Sequence, residues 1–335
     1  MLRFHRMPPF GTPAGGNDAS PERLIYHTDA WVRFIERTHD ATPVRAELRD
    51  GDTVLGHVVG LVVSRFGVRV FGSPLPGWTT LYMGFDLRPG VPRAEALAAL
   101  RRFVFGELRC VHFELVDRQL ASAGGDPKSH VESYETDLTR SEDEIFASME
   151  SACRRCIRKA EKLGVTIEEV DARDAAFPGE FHAQLVEVFR KQGLVPTYGP
   201  ERVRALAECL DGTGRLLLLR ARNPEGACIA TGIYPGMNRV AQFWGNASVR
   251  SEQHYRPNEA LNWYAMRYWK RRGAAVFDWG GGGDYKAKYG CARIWVPRLC
   301  ESKYAFLGHA REAARRAFEG RQRLLGRLSA AWGRS

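Results

Sequence analysis

The sequence predicts an α+β protein with mixed, mostly antiparallel sheets flanked by helices. Three observations predict it. Apolar alternations are broken by tight turns, as at Asp50-Gly51-Asp52 and Asn223-Pro-Glu-Gly226. Stripes at helical spacing stand between them, such as Ala96, Leu97, Leu100 and Val104. The order helix, hairpin-rich sheet, helix, strand then occurs twice, over about 29–116 and 179–279. A meander that ends in a helix and a return strand is unlike a doubly wound dinucleotide fold.

Taken in order, residues 1–21 are rich in Pro, Gly and small polar residues and read as a disordered leader. Asp29 can cap a helix whose stripe is Trp31, Phe34 and Ile35. Strands follow at 44–49, 53–63 and 68–71, then a helix over 93–108 and a strand at 111–115. Tyr134 to Leu138 reads as a short strand. Ser141 and Glu144 form a capping-box signature for one helix running to Leu163, stopped by Gly164. A strand at 165–170 and helices at 179–191 and 201–210 lead into a meander over 215–246. Helix 258–272, strand 275–277 and a strand region at 293–304 close the pattern. The expected domains are 22–140, a linking helix 141–164 and a second domain 165–308 that carries the active site. A basic helix over 309–335 follows, which can dock on the protein or contact an anionic membrane surface.

The formal charge of +10 suits anionic partners, with general solubility as the alternative. Seven scattered cysteines, of which only Cys153 and Cys156 are close, lack the spacing of a zinc site and fit a reducing compartment. No metal is expected. The N-terminus lacks the apolar core of a signal peptide, and no window approaches a membrane span. A cytoplasmic location, at the inner face of the membrane if the basic helix binds lipid, is expected.

The stretch from Ala274 to Gly290 is unusual. A short apolar run ends at Asp278 and Trp279, four glycines follow, and then comes Asp284-Tyr-Lys-Ala-Lys-Tyr-Gly290. Four glycines cost backbone entropy and pack nothing, so the backbone there needs positive φ or close approach. Upstream, Arg154, Arg155, Arg158, Lys159 and Lys162 crowd a helix end, where they suit the helix dipole or an anion.

The segment Arg154-Arg-Cys-Ile-Arg158-Lys-Ala-Glu-Lys-Leu-Gly-Val165 resembles the linking segment of Fem-type aminoacyltransferases and their GNAT-like relatives. Arg256-Pro-Asn-Glu-Ala-Leu-Asn-Trp-Tyr, Phe277-Asp-Trp-Gly-Gly and Tyr285-Lys-Ala-Lys-Tyr-Gly290 are similar to their closing signature, with Tyr285 and Tyr289 in place of phenylalanine. The resemblance spans about 29–308 and is concentrated at 149–170 and 255–290. It implies tandem GNAT-like (acyl-CoA N-acyltransferase) folds. The four glycines and the absence of a heptad run look more like the CelD/BcsL branch, linked to acyl-CoA donors and polysaccharide production, than like bridge enzymes that use aminoacyl-tRNA. The implied function is transfer of an acyl group, acetyl or longer, from acyl-CoA to an amine or hydroxyl of a glycan or cell-envelope precursor. Aminoacyl-tRNA as donor to a peptidoglycan precursor is the alternative. A non-catalytic module that binds an anionic polymer is the second alternative.

The resemblance places Lys286 at a functional position, as a stabiliser of oxyanion or leaving group. Asp278, at the strand end, is a candidate to orient Lys286 or accept a proton, with a structural cap of the glycine loop as the alternative, and the glycines set Tyr285 beside Lys286 at the reacting carbonyl. Arg158, Lys159, Tyr198, Trp244, Asp284 and Lys288 are candidate substrate contacts; for Trp244 the alternative is core packing. A GNAT pyrophosphate loop carries glycines before its helix, but here the chain reads Gln253-His-Tyr-Arg-Pro-Asn258. Arg250, Arg256 and Asn258 would supply the donor contacts instead.

Overall fold

The computed structural model describes residues 1–11, 23–120, 129–304, 306–307, 313, 316–317 and 320–322. Its elements run β1 (Arg3–Met7), α1 (Asp29–His39), β2 (Thr42–Asp50), β3 (Thr53–Arg65), β4 (Val68–Ser73), β5 (Phe85–Leu87), α2 (Arg93–Arg102) and β6 (His112–Val116). They continue with β7 (Ser129–Asp137), α3 (Glu142–Ser148), α4 (Ser151–Lys162), β8 (Thr166–Val170), α5 (Phe177–Lys191), α6 (Pro200–Leu210), β9 (Leu216–Arg222) and β10 (Cys228–Met237). The last are β11 (Val240–Gln242), β12 (Gly245–Ser248), α7 (Pro257–Arg271), β13 (Val276–Asp278) and β14 (Ala292–Ser302). Among the described residues two compact units result, one built on Met1–Ser133 with the chain from Ile294, the other on Tyr134–Arg293.

In the first unit the strand order is β1-β2-β3-β4-β6-β14. Every neighbouring pair is antiparallel except β4 with β6. β5 pairs β3 beside β4. In the second unit the order is β8-β9-β10-β11-β13-β7, and again one pair, β11 with β13, is parallel. β12 pairs β10 beside β11. The two orders and senses match position by position. The duplication read from element order is therefore a duplication of topology.

Each unit has its own core. Phe71, Leu100, Phe103 and Phe113 anchor the first; Ile157, Leu219, Leu261, Phe277 and Trp279 anchor the second. Burying such side chains stabilises by about 1.5–3 kcal/mol each.

Four expectations change. Residues Arg3–Met7 are not a disordered leader but an edge strand, with Phe4 buried against Phe85 and Phe103. The cap of α1 is Thr28, whose hydroxyl accepts from Trp31 N, whereas Asp29 pairs with Arg45. The helix expected over 141–163 is two helices, because Met149 and Glu150 take extended ψ values of 152° and 144°. Its capping box between Ser141 and Glu144 is present. The strand region at 293–304, expected in the second domain, belongs to the first unit, where β14 pairs β6 and completes the sheet. Its register brings His112 to Ser302 at 2.7 Å and Arg298 to the buried Glu114. The basic helix expected over 309–335 lies outside the described residues apart from isolated positions. Among the described residues, no helix is long and apolar enough to cross a membrane.

Candidate active site

The second unit has a gap in its sheet. β11 and β13 run parallel in register from Val240 and Val276 to Gln242 and Asp278. One more bond, Phe243 N to Asp278 O at 2.8 Å, ends their pairing. Trp244 N then turns to Ile233 O of β10, and β12 continues along β10. Past Asp278 the chain enters the glycines instead. The two strands thus splay, and α7 begins after β12 by way of a 3-10 turn at Ser251–Tyr255.

The glycine loop is held from both sides. The Lys286 ammonium donates to Trp279 O at 2.6 Å, Gly280 O at 3.1 Å and Gly281 O at 2.9 Å. Lys286 is buried, and its charge lies 5.4 Å from the Phe243 ring centroid at the splay. Asp278 is fully buried and accepts from Gly280 N at 2.8 Å. Gly280, Gly282 and Gly283 adopt φ of 68°, 76° and 98°, which explains the glycine run. The local sequence dictates this arrangement. The turn at Asp284–Tyr289 sends Lys286 inward and leaves Tyr285 exposed.

The expectation that Lys286 aims at a reacting carbonyl is revised. An ammonium has three donors, and all three are spent on loop carbonyls. Lys288 does not join it, since it pairs with Glu259 in the first turn of α7 at 2.7 Å. Asp284 is exposed and accepts from Tyr134 OH at 3.0 Å. Tyr198 and Trp244 do come together, with ring centroids 5.4 Å apart; Trp244 also meets Phe181. Burial pushes the Tyr198 phenol up to about 12, so it remains a neutral donor. Trp244 Nε1 is buried with no hydrogen-bond partner among the described residues.

Arg158 and Lys159 stay exposed on α4, with Arg158 over the Phe146 ring. At the start of α7, Arg256 takes φ 59° as N-cap and is exposed, as is Arg250. Asn258 instead turns inward and donates to Ser248 Oγ at 3.0 Å.

Sequence reasoning missed a buried polar hub beneath the splay. Asn262 Oδ1 accepts from Tyr234 OH at 2.8 Å and Asn246 Nδ2 at 3.3 Å, while its Nδ2 donates to Tyr289 OH at 2.8 Å. Tyr289 stacks on Trp279 at 4.3 Å. The one available signal was Asn262 on the apolar stripe of α7, where a polar residue needs a partner.

The first unit has the equivalent splay but closes it. Asp117, just after β6, accepts from Phe85 N of β5 at 2.9 Å, and Trp78, Tyr82 and Met83 are buried in the intervening loop.

Comparison with known proteins agrees with the fold. Residues 147–289 match the family described as Acetyltransferase (GNAT) domain. No curated protein sequence matches the chain. The solved structure of FemX is similar over 90% of this chain and 97% of its own, at 13% identity and TM-score 0.70. A tandem GNAT protein from the clavulanic acid biosynthesis pathway is similar over 91% and 99%, at 12% identity and TM-score 0.50. A conserved protein of unknown function from Bacteroides thetaiotaomicron VPI-5482 is similar over 81% and 88%, at 10% identity and TM-score 0.53. The matched segment contains α4, the splay, α7 and the lysine-clamped loop. The fold is a tandem GNAT fold, with mixed, mostly antiparallel sheets flanked by helices.

Proposed function

We propose that this protein is an acyltransferase whose reaction takes place in the splay of the second unit. The observation that carries the reading is the parallel β11/β13 pair opening at Phe243 and Asp278, inside the segment matched to the GNAT acetyltransferase domain. The donor in this reading is an acyl-CoA, and the acceptor is an amine or hydroxyl of a glycan or cell-envelope precursor. The CelD/BcsL-like run of glycines favours that assignment over other acyl acceptors.

The chemistry follows from the loop. In a trans peptide the N–H points opposite to the C=O. Three carbonyls converge on Lys286, so the N–H groups of Gly280, Gly281 and Gly282 turn away from it. Asp278 takes the first. In our reading the other two receive the negative charge that develops on the acyl oxygen as the acceptor attacks. The new C–N or C–O bond forms, the C–S bond breaks, and CoA leaves as the thiolate. Asp284, held by Tyr134, takes the acceptor's proton. Lys286 and Asp278 are then positioning residues. Tyr198 and Trp244 form an acceptor wall, and Tyr285 borders the opening. Arg250 and Arg256 would meet the donor's phosphates in place of a glycine loop, with Asn258 ordering the turn between them; Arg158, Lys159 and Lys288 lie farther along the anionic path.

A second reading, aminoacyl-tRNA as donor to a peptidoglycan precursor, is favoured by the likeness to FemX across both units and by the missing glycines before α7. A thermal-shift titration separates the two. Stabilisation by acetyl-CoA or a longer acyl-CoA is expected. A response to aminoacyl-tRNA alone would transfer the assignment to the second reading. Tight polyanion binding with no response to either donor would overturn acyl transfer.

A further inference from the structure

The outer face of α7 carries a hollow of about 250 Å³, separate from the splay, walled by Glu169 of β8 with Tyr264, Arg267, Tyr268, Arg271 and Arg272. Positions 264, 267, 268, 271 and 272 share one face because they recur at helical spacing. The three arginines differ in how they are held. Arg271 is engaged with Glu142 at 3.1 Å. Arg272 lies over the Tyr268 ring, 4.8 Å from its centroid, and Arg267 over Trp263 at 5.4 Å.

Neither Arg267 nor Arg272 has a carboxylate partner among the described residues, and Arg267 Nε is buried with no acceptor. A guanidinium stacked on a ring is fixed in plane while its N–H edge stays available. The one carboxylate on the wall, Glu169, accepts from Tyr264 OH at 2.6 Å. Burial and that bond raise the Tyr264 phenol to about 12, so it keeps its proton and continues to donate to the carboxylate. The hollow therefore presents two guanidiniums without a carboxylate hydrogen-bond partner among the described residues, beside two tyrosine rings and one carboxylate engaged by Tyr264.

We propose that this hollow binds the phosphate of a nucleotide unit, with Arg267 and Arg272 on the phosphate oxygens and the Tyr268 ring, which carries Arg272 over one face, beside the base. Guanidinium forks match phosphate geometry, and every base offers a π-face to an aromatic ring. The hollow is too small for a whole drug-sized ligand, whose sites begin at about 300 Å³. One phosphate with part of its nucleoside suits it.

The test is calorimetric titration of the full chain with inorganic phosphate and with AMP, a readout independent of acyl transfer. Saturable binding of both is expected, with AMP tighter. The double variant Arg267→Gln/Arg272→Gln should weaken both by about tenfold or more, as loss of charge-assisted bonds does. Tyr268→Leu removes the ring beside the base and the support under Arg272, so it should weaken AMP more than phosphate and reduce the preference for AMP. Unchanged affinity in the double variant, or no saturable binding in the millimolar range, overturns the site. AMP binding no tighter than phosphate overturns the nucleotide assignment. Urea titration of each variant shows whether the unit remains folded, and Arg267→Lys, which keeps the charge but not the fork, should fall between wild type and Gln.

Discussion

Lys286 Nζ lies 2.6 Å from the carbonyl oxygen of Trp279, seven residues earlier, and this contact closes the glycine loop on itself. A buried cation is satisfied by backbone oxygens, and a loop without side chains is held in one shape. Removing the ammonium leaves three carbonyls without their donor. Lys286→Met should destabilise the second unit by about 2–4 kcal/mol, since buried orphaned acceptors cost about 1–3 kcal/mol each and water rescues some. Urea denaturation reads the loss. Acyl transfer should fall further than stability does under conditions where the variant is folded.

Asn262 is the other point where much depends on one side chain. Asn262→Leu keeps the branched heavy-atom shape but strips Tyr234 and Tyr289 of their shared partner. A loss of about 2–4 kcal/mol is expected, because both hydroxyls are buried. The double variant Asn262→Leu/Tyr289→Phe should recover part of it, and a double-mutant cycle measures the coupling.

Gly290 is fixed by geometry. Its φ is 70°, and a Cβ would sit 2.7 Å from Ser148 O, a backbone atom that cannot rotate away. Gly290→Ala should cost about 1–3 kcal/mol from the left-handed backbone alone, with the clash in addition. A thermal melt of the purified variant checks this.

The first unit should be acid-sensitive. Burial lowers the pKa of His27, with Asp86 opposing, and burial likewise lowers that of His57. His27 accepts from Leu24 N and bonds Met83 O at 2.8 Å, so it is built in as the neutral form. The folded pKa lies below the unfolded value of about 6.5. The unfolded chain therefore binds more protons in that window, and stability is full above it and falls as pH drops through it. Melting temperature measured from pH 8 to pH 5 should decline below about 6.5, and His27→Gln should flatten that decline even if it lowers the plateau.

Trp244 and Tyr198 give a kinetic test of the proposed acceptor wall. Tyr198→Ala should raise KM for the acceptor more than it lowers kcat, because the ring contributes binding without touching the reacting atoms. An effect on kcat alone would remove Tyr198 from the wall.

Much of this protein was legible in its sequence, for local reasons. Turn chemistry at Asp50-Gly51-Asp52, the Ser141/Glu144 capping box and the helical stripe of α2 each depend on residues a few positions apart. The glycine run announced positive φ at Gly280 and Gly282. The repeated order of elements indicated the duplication, and the lysine after the glycines closes that loop on itself. What the tertiary structure decided is where distant segments pair and which polar atoms they satisfy. Register across 184 residues of chain separation joins Arg298 to Glu114 and gives β14 to the first sheet. Sequence position makes Lys286 a candidate donor to substrate; the fold surrounds it with three loop carbonyls. Sequence spacing fixes which face a side chain occupies; the folded chain alone determines which hydrogen-bond partner reaches it there.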